Sequence, residues 1–190
     1  MDAVGGVLTA FGLSASAGLN AYVPLLIVSL IARFTNWFDL SEPWLALGSW
    51  PVIVALVVLS IIEFFADKVP AVNHINDIIQ TFVRPAAGAI LFAASTSAIE
   101  NLHPAVSIIA GLLVAGGVHA VKALAVRPAV TTTTAGTGNV PVSIAEDILA
   151  TLLSILSIVI PAVVTGLVII ITSYVIWRFW RRANEERLTE

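Results

Sequence analysis

Cysteine is missing from this chain of 190 residues, which excludes disulfides, thiolate nucleophiles and cysteine-type metal sites. Charge is scarce as well. Asp, Glu, Lys and Arg make up 11% of the residues, against about 25% in an ordinary soluble domain. The formal net charge is -3, with no basic stripe to follow a phosphate backbone, so nucleic acid is not an expected partner. No Ser/His/Asp arrangement, phosphate-binding glycine loop or H-E-x-x-H occurs, which leaves hydrolases and nucleotide-driven pumps without a motif, and no cofactor is expected. No Lys or Arg precedes Arg33. A cleaved secretory signal has a positive n-region, so the first apolar segment is expected to stay in the mature protein.

What the chain has in excess is apolar sequence, 58% of its residues. Runs such as "WPVIVALVVLSIIEFF" and "SIAEDILATLLSILSIVIPAVVTGLVIIITSYVIWRFW" need lipid on one side. Residues 3–34 would form one helix about 48 Å long, beyond a hydrocarbon core of about 30 Å. "AGLNAYVP" (17–24) offers a break, because Gly18 loosens the backbone, Asn20 brings a polar amide and Pro24 removes an N–H. Further spans are expected at 51–66, 85–99 and 104–126. Two more fall within 142–180, divided at Pro161. The predicted fold is all-α, a polytopic membrane helical bundle of about six spans with broken helices, in a single integral membrane domain, 1–190.

Basic residues set the expected orientation. With the first span running outward, Lys68, Arg84, Lys122, Arg127, Arg178, Arg181, Arg182 and Arg187 fall inside and Arg33 outside, which puts both termini in the cytoplasm. Trp37, Phe38, Trp44 and Trp50 near one interface, and Trp177, Phe179 and Trp180 near the other, read as aromatic belts.

One stretch departs from the apolar background, "ADKVPAVNHINDIIQTFVRP" (66–85). Asn73, Asn76, Asp77, Gln80 and Arg84 recur at helical spacing, opposite Val72, Ile75, Ile79 and Phe82, which predicts an amphipathic helix over 71–84. A helix lying on the inner leaflet would load its polar face with Lys and Arg. This face has Arg84 alone, beside Asp77 and uncharged amides, so the favoured reading turns it toward a polar cavity.

A second interruption, "TTTTAGTGNVPVSIAED" (131–147), reads as a non-helical connection after which Glu146 and Asp147 open the next helix near its positive dipole end. "AGLNAYVP" and "AGTGNVP" share Ala-Gly, a nearby Asn and a following Val-Pro, a candidate internal repeat of the kind that marks binding sites in transporters. Glu63 and His119, late in the second and fourth spans, are expected to be satisfied by partner helices. Gly111, Ala115 and Gly116 form a small face for close packing.

"GLSASAGLNAYVPLL", "ADKVPAVNHINDIIQTFVRPAAGA" and "AGTGNVPVSIAEDILA" together resemble a family of small bacterial multi-pass membrane proteins catalogued as a domain of unknown function. Its D-K-x-P and R-P-x-x-G pattern falls on Asp67, Lys68, Pro70, Arg84, Pro85 and Gly88. Its later pattern falls on Gly138, Asn139, Ser143, Glu146 and Asp147, with Pro141 one place beyond the position directly after the Asn. The resemblance implies an integral protein of the bacterial cytoplasmic membrane and no particular activity.

From the residues, the leading expectation is a small permease, transporter or channel for an ion or small polar solute. Asn20, Asp67, Asn73, Asp77, Arg84, Asn139, Glu146 and Asp147 would converge on that solute. The lipid bilayer is the other partner, and homo-oligomerisation is left open. Two alternatives stand beside it. One is a lipid-handling enzyme in which Asp67, Asp77, Glu146 and Asp147 hold a divalent metal. The other is a scaffold that docks a partner through the 71–84 helix.

Overall fold

The computed structural model describes residues 3–38, 40–67, 70–97, 99 and 102–187, with the backbone alone described at 70–75, 77, 162, 179 and 182–187. The architecture is an all-α bundle of membrane type. Among the described residues three helical stretches, Ile78–Ser95, Pro104–Thr134 and Asn139–Val159, are long and apolar enough to cross a bilayer, and shorter apolar helices accompany them.

The break near Asn20 falls where the polar amide and proline predict it. Helix α1 spans Ala3–Leu19 and α2 spans Tyr22–Phe34. Between them the Asn20 side chain accepts hydrogen bonds from the backbone of Tyr22 (3.2 Å) and Val23 (3.0 Å), satisfying donors that open α2. Pro24 then sits in the first turn, where no N–H is needed.

The break makes a hairpin. Gly6, at the start of α1, packs under the carbonyl of Ser95. Along α1, Thr9 donates to Ser157 (3.0 Å), Ser16 to Ala150 (2.7 Å) and Asn20 to Asp147 (3.0 Å), so α7, Asn139–Val159, runs antiparallel to it. Val23 then lines a crevice with Ile148, Thr151 and Leu152, on the same stretch of α7, so α2 turns back instead of continuing downward. At its far end Arg33 donates to the carbonyl of Gly48 (2.8 Å), and the Phe34 ring meets Trp50 edge-on.

Helix α3, Trp50–Ala66, returns from that end, with Pro51 in its first turn. Helix α4 is one unit, Pro70–Ser95, where an amphipathic piece at 71–84 and a separate short span at 85–99 were expected. Pro85 lies inside it. A proline removes one helical hydrogen bond, but lipid gives the freed backbone no water to turn to, so the helix continues where its neighbours hold it. Those neighbours are close: a Cβ at Gly111 would lie 2.6 Å from the Cα of Ala89, and Ser14 donates to the carbonyl of Gly88 (2.8 Å).

Helix α5, Pro104–Val121, passes through a π-helical turn, Lys122–Val126, into α6, Arg127–Thr134. The threonine run expected in a loop is largely helical. Hydroxyls of Thr132, Thr133 and Thr134 return to the carbonyls of Pro128 (2.9 Å), Ala129 (2.8 Å) and Val130 (2.7 Å), so their polarity is absorbed by the helix itself. The turn shrinks to 135–138, with Ala135 at φ 49° and Gly136 at φ 87° in the left-handed region. Because α7 opens at Asn139, Glu146 and Asp147 lie two turns inside it and not in the expected first turn. Pro161 divides the last run as expected and begins α8, Pro161–Arg187.

Thr165 of α8 donates to the carbonyl of Leu8 (2.8 Å), and Val175 shares a crevice with Leu19, so α8 runs parallel to α1. The start of α1 and the end of α8 therefore lie at opposite ends of the bundle. The expected orientation, with both termini on one side, counts the broken 3–34 segment as one crossing, whereas α1 and α2 are two helices that fold back on each other.

Inside and outside are inverted relative to a soluble protein. Phe82, Leu113 and Leu124 are exposed, while Thr9, Ser14, Ser16, Ser154 and Arg84 are buried. Lipid tails are as apolar as leucine, so helix contacts come from small residues and interhelical hydrogen bonds. Gly111→Ala should destabilise the bundle by about 1–3 kcal/mol, because its methyl meets backbone that cannot step aside. Gly117→Ala, where a Cβ meets nothing within 4 Å, should be neutral or slightly stabilising. Thermal unfolding of both variants in detergent checks the contrast.

Candidate functional site: a buried ion-pair network at the hairpin tip

Arg84 is the largest fully buried side chain among the described residues. An ionised guanidinium away from water requires paired, hydrogen-bonded anions. Glu63 of α3 is hydrogen-bonded to it (Nη2 to Oε1, 3.1 Å), and Asp67, one turn on at the C-cap of α3, adds an ion pair (Nη2 to Oδ2, 3.7 Å). Nη1 meets His119 Nδ1 on α5 at 3.3 Å. A guanidinium has only donors, so Nδ1 is the accepting nitrogen; His119 then carries its proton on Nε2, 3.3 Å from the Thr81 hydroxyl.

Asp67 is the junction. Its Oδ1 accepts from Asn76 (2.7 Å), and its Oδ2 faces Arg84, Arg127 (3.5 Å) and the Ser143 hydroxyl (3.4 Å). Arg127 also reaches Glu146 (3.4 Å), and Lys122 binds the same Glu146 oxygen at 2.8 Å. Lys122 then donates to the carbonyl of Leu19 (3.1 Å), the last residue of α1. Three cations and three carboxylates from α3 and its C-cap, α4, the π-helical turn, α6 and α7 thus alternate in one connected network among the described residues.

The π-helical turn explains why Lys122 and Arg127 both take part. Residues five apart on an α-helix point about 140° away from each other. Here the N–H of Arg127 bonds the carbonyl of Lys122, an i to i+5 link. That wider winding brings both side chains to Glu146.

The polar face of α4 points inward. Asn76, Gln80 and Arg84 are buried while Ile78, Ile79 and Phe82 face outward. What it looks onto is the packed network, and the open space lies to either side. A crevice of about 550 Å³ between α2, α3 and α7 is lined by Asn20, Ser60, Phe64 and Asp147, and one of about 320 Å³ between α5, α7 and α8 by Lys122, Glu146 and Val175. Adjacent residues Glu146 and Asp147 thus border different crevices. In and beside the network, Glu63 Oε2, Arg84 Nε and, on the same face of α4, Gln80 Oε1 have no partner among the described residues.

Of the expected site residues, Asp67, Arg84 and Glu146 are joined in the network, and Asn20 with Asp147 adjoins it at the hairpin tip. Asn139 stands apart, half-exposed, accepting from Thr131 (3.1 Å) eight residues before Asp147. The two Gly/Asn/Pro breaks therefore do not meet. The side chains of Asn73 and Asp77 lie outside the described residues, as does Lys68. The sequence placed Asn76 and Gln80 on the polar face and Ser143 in the family pattern without naming them as solute-binding, left Lys122 and Arg127 among the inner-side cations, and treated Glu63 and His119 as structurally satisfied. Glu63 and His119 did carry a signal, since an ionisable group within an apolar span is a functional candidate by default.

The described residues bring no three His, Asp or Glu side chains together in a metal-binding group. Asp67 and Glu146, two of the four carboxylates considered for a metal, instead meet the same guanidinium.

Removing one partner of a buried pair leaves an uncompensated charge. Arg84→Met should therefore cost about 3–5 kcal/mol. Adding Glu63→Gln should restore part of it, and a double-mutant cycle of thermal unfolding in lipid nanodiscs measures the coupling.

Neither the curated proteins nor the solved structures contain a match to this chain. The family model for a domain of unknown function, DUF4126, matches residues 7–182, a stretch that takes in the hairpin, the ion-pair network and nearly all of α8, and the chain belongs to that family.

Proposed function

We propose that this protein is a small permease, transporter or channel of the bacterial cytoplasmic membrane that passes an ion or small polar solute through the region of the hairpin tip. The observation that carries this reading is the placement of Glu63, Asp67, Arg84, Lys122, Arg127 and Glu146 inside an apolar bundle, where the α1–α2 break ends. Replacing a buried ionic cluster by packed apolar residues is often neutral or stabilising, so its retention is poorly explained by stability alone. Intramembrane charges of this kind mark ion and substrate pathways, and discontinuous helices bring polar backbone to them. Here the terminal carbonyl of α1 meets Lys122 and the cap of α2 meets Asp147.

The scaffold reading has less support, since Asn76, Gln80 and Arg84 are buried and unable to dock a partner. Positive charge orients the bundle. Arg178, Arg181, Arg182 and Arg187 belong to the last part of α8, which would face the cytoplasm. The start of α1 would then face outward.

Purified protein in liposomes should pass at least one member of a broad panel of ions and polar solutes above protein-free vesicles. Asp67→Asn, nearly isosteric at the junction of the network, should lower that flux roughly 10- to 100-fold, the kinetic equivalent of one charge-assisted hydrogen bond. Phe82→Ala on the lipid face should leave it unchanged. A folded protein that passes nothing on the panel, or an Asp67→Asn variant as active as its parent, would refute the reading.

A further inference from the structure

The three carboxylates of the network are not equivalent. Asp67 is engaged at both oxygens, by Asn76, Arg84, Arg127 and Ser143. Glu146 binds two cations through one oxygen. Glu63 touches Arg84 through Oε1, and its Oε2 has no partner among the described residues although the side chain is fully buried. A proton arriving at Oε2 breaks no existing bond, whereas a proton on either oxygen of Asp67 displaces a donor. His119 does not compete for it, because its basic nitrogen already accepts from Arg84, and a proton there would set N–H against N–H.

The groups around Glu63 decide the effect of such a proton. Tyr22 of α2, Asp67 at the C-cap of its own helix, Arg84 of α4 and Lys122 of the π-helical turn act on it electrostatically; His119 of α5 adjoins it through Arg84, and Arg127 and Glu146 of α6 and α7 connect to it through Asp67. When Glu63 is neutral, Arg84 loses its nearest counter-ion and, among the described residues, keeps Asp67 alone, at 3.7 Å. The described cluster then carries one positive charge more than its carboxylates answer, in surroundings where such a charge is costly. Arg84 Nε, itself unpartnered, offers that charge together with a donor. Guanidinium with a free N–H is the chemistry that recognises a small oxyanion.

Resting on the transport reading above, we infer that the site moves a proton and a small monovalent anion together, with Glu63 carrying the proton and Arg84 the anion. The proton bonds to Glu63 Oε2, the Arg84–Glu63 ion pair becomes a charged-to-neutral hydrogen bond, and the anion takes the position of counter-ion. On release the anion leaves Arg84 and the O–H of Glu63 dissociates, restoring the pair. One proton and one negative charge cross per cycle, with no net charge moved. Arg84 is fully buried, so access requires a neighbour to yield. The hairpin tip qualifies, held to α7 by the Asn20–Asp147 bond and to the π-helical turn by the Lys122–Leu19 bond.

The test uses the full chain in proteoliposomes, with formate, acetate and nitrate as monovalent anions, and potassium, ammonium and glycerol as comparison solutes. An inward difference of one pH unit, equal to about 1.4 kcal/mol, should accumulate the transported anion about tenfold. An anion gradient alone should acidify the lumen, insensitive to clamped membrane voltage. Glu63→Gln should abolish accumulation driven by pH while leaving exchange of labelled for unlabelled anion, and Arg84→Gln should abolish both. Glu63→Asp, which keeps the carboxyl, should retain coupling, so a Glu63→Gln variant that fails to fold leaves the question decidable. Infrared difference spectra on anion addition should show a protonated carboxyl band in the parent that Glu63→Gln lacks. Flux of potassium, ammonium or glycerol without any anion would overturn the inference and leave the transport reading standing. Full proton coupling in folded Glu63→Gln would overturn it too, whereas silence across both solute sets would remove the transport reading itself.

Discussion

A guanidinium that cannot reach water must be answered by the protein around it, and Arg84 imposes that demand on nearly every helix. Its direct partners come from α3 and α5, and its indirect ones from α6, α7 and the end of α1. None of these attachments is replaceable by lipid. Beside an apolar cluster of Leu13, Leu25, Val28, Phe38 and Leu91, this bundle is organised around a charge, and many of its large apolar residues face outward.

That constraint gives each irregularity a physical reason. The π-helical turn has no purpose in an apolar span, but it lets two cations spaced five residues apart meet one carboxylate. The close approach of α4 and α5 at Gly88 and Gly111 sets the distance at which Arg84 meets His119. The cap that Asn20 places on α2 also ties the hairpin to Asp147, so the tip is joined to the acidic stretch of α7 by the same side chain that opens the helix.

Much of this was legible in the residues, and the exceptions are informative. Asn20 with Pro24, and Pro161, announced their breaks because each removes or competes for helical hydrogen bonds. The alternation of amides and Arg84 against isoleucine and phenylalanine announced that α4 has a polar face. Pro85 misled, since a rule learned where water rescues a broken helix loses force in lipid. Thr131–Thr134 misled because threonine hydroxyls can fold back on their own helix. The partners of Arg84 were hidden for another reason: Lys122 and Arg127 look like interfacial anchors in a linear string, and only the extra winding between them turns both inward. Which carboxylate serves which cation is decided by side-chain geometry that spacing does not encode.

The α1–α2 hairpin also bears on how the chain is made. Asn20 and its partner Asp147 are separated by 127 residues, and Ser16 waits 138 residues for Ser154. At roughly 5–20 residues per second the ribosome needs roughly 6–25 s to supply the second member of the Asn20 pair. During that interval the hairpin rests in the membrane with its hydroxyls and amide turned toward whatever is nearest. Assembly of this bundle is therefore a matter of storage as well as insertion: the earliest element made must keep its α7-facing side uncommitted until the last third of the chain arrives to close over it.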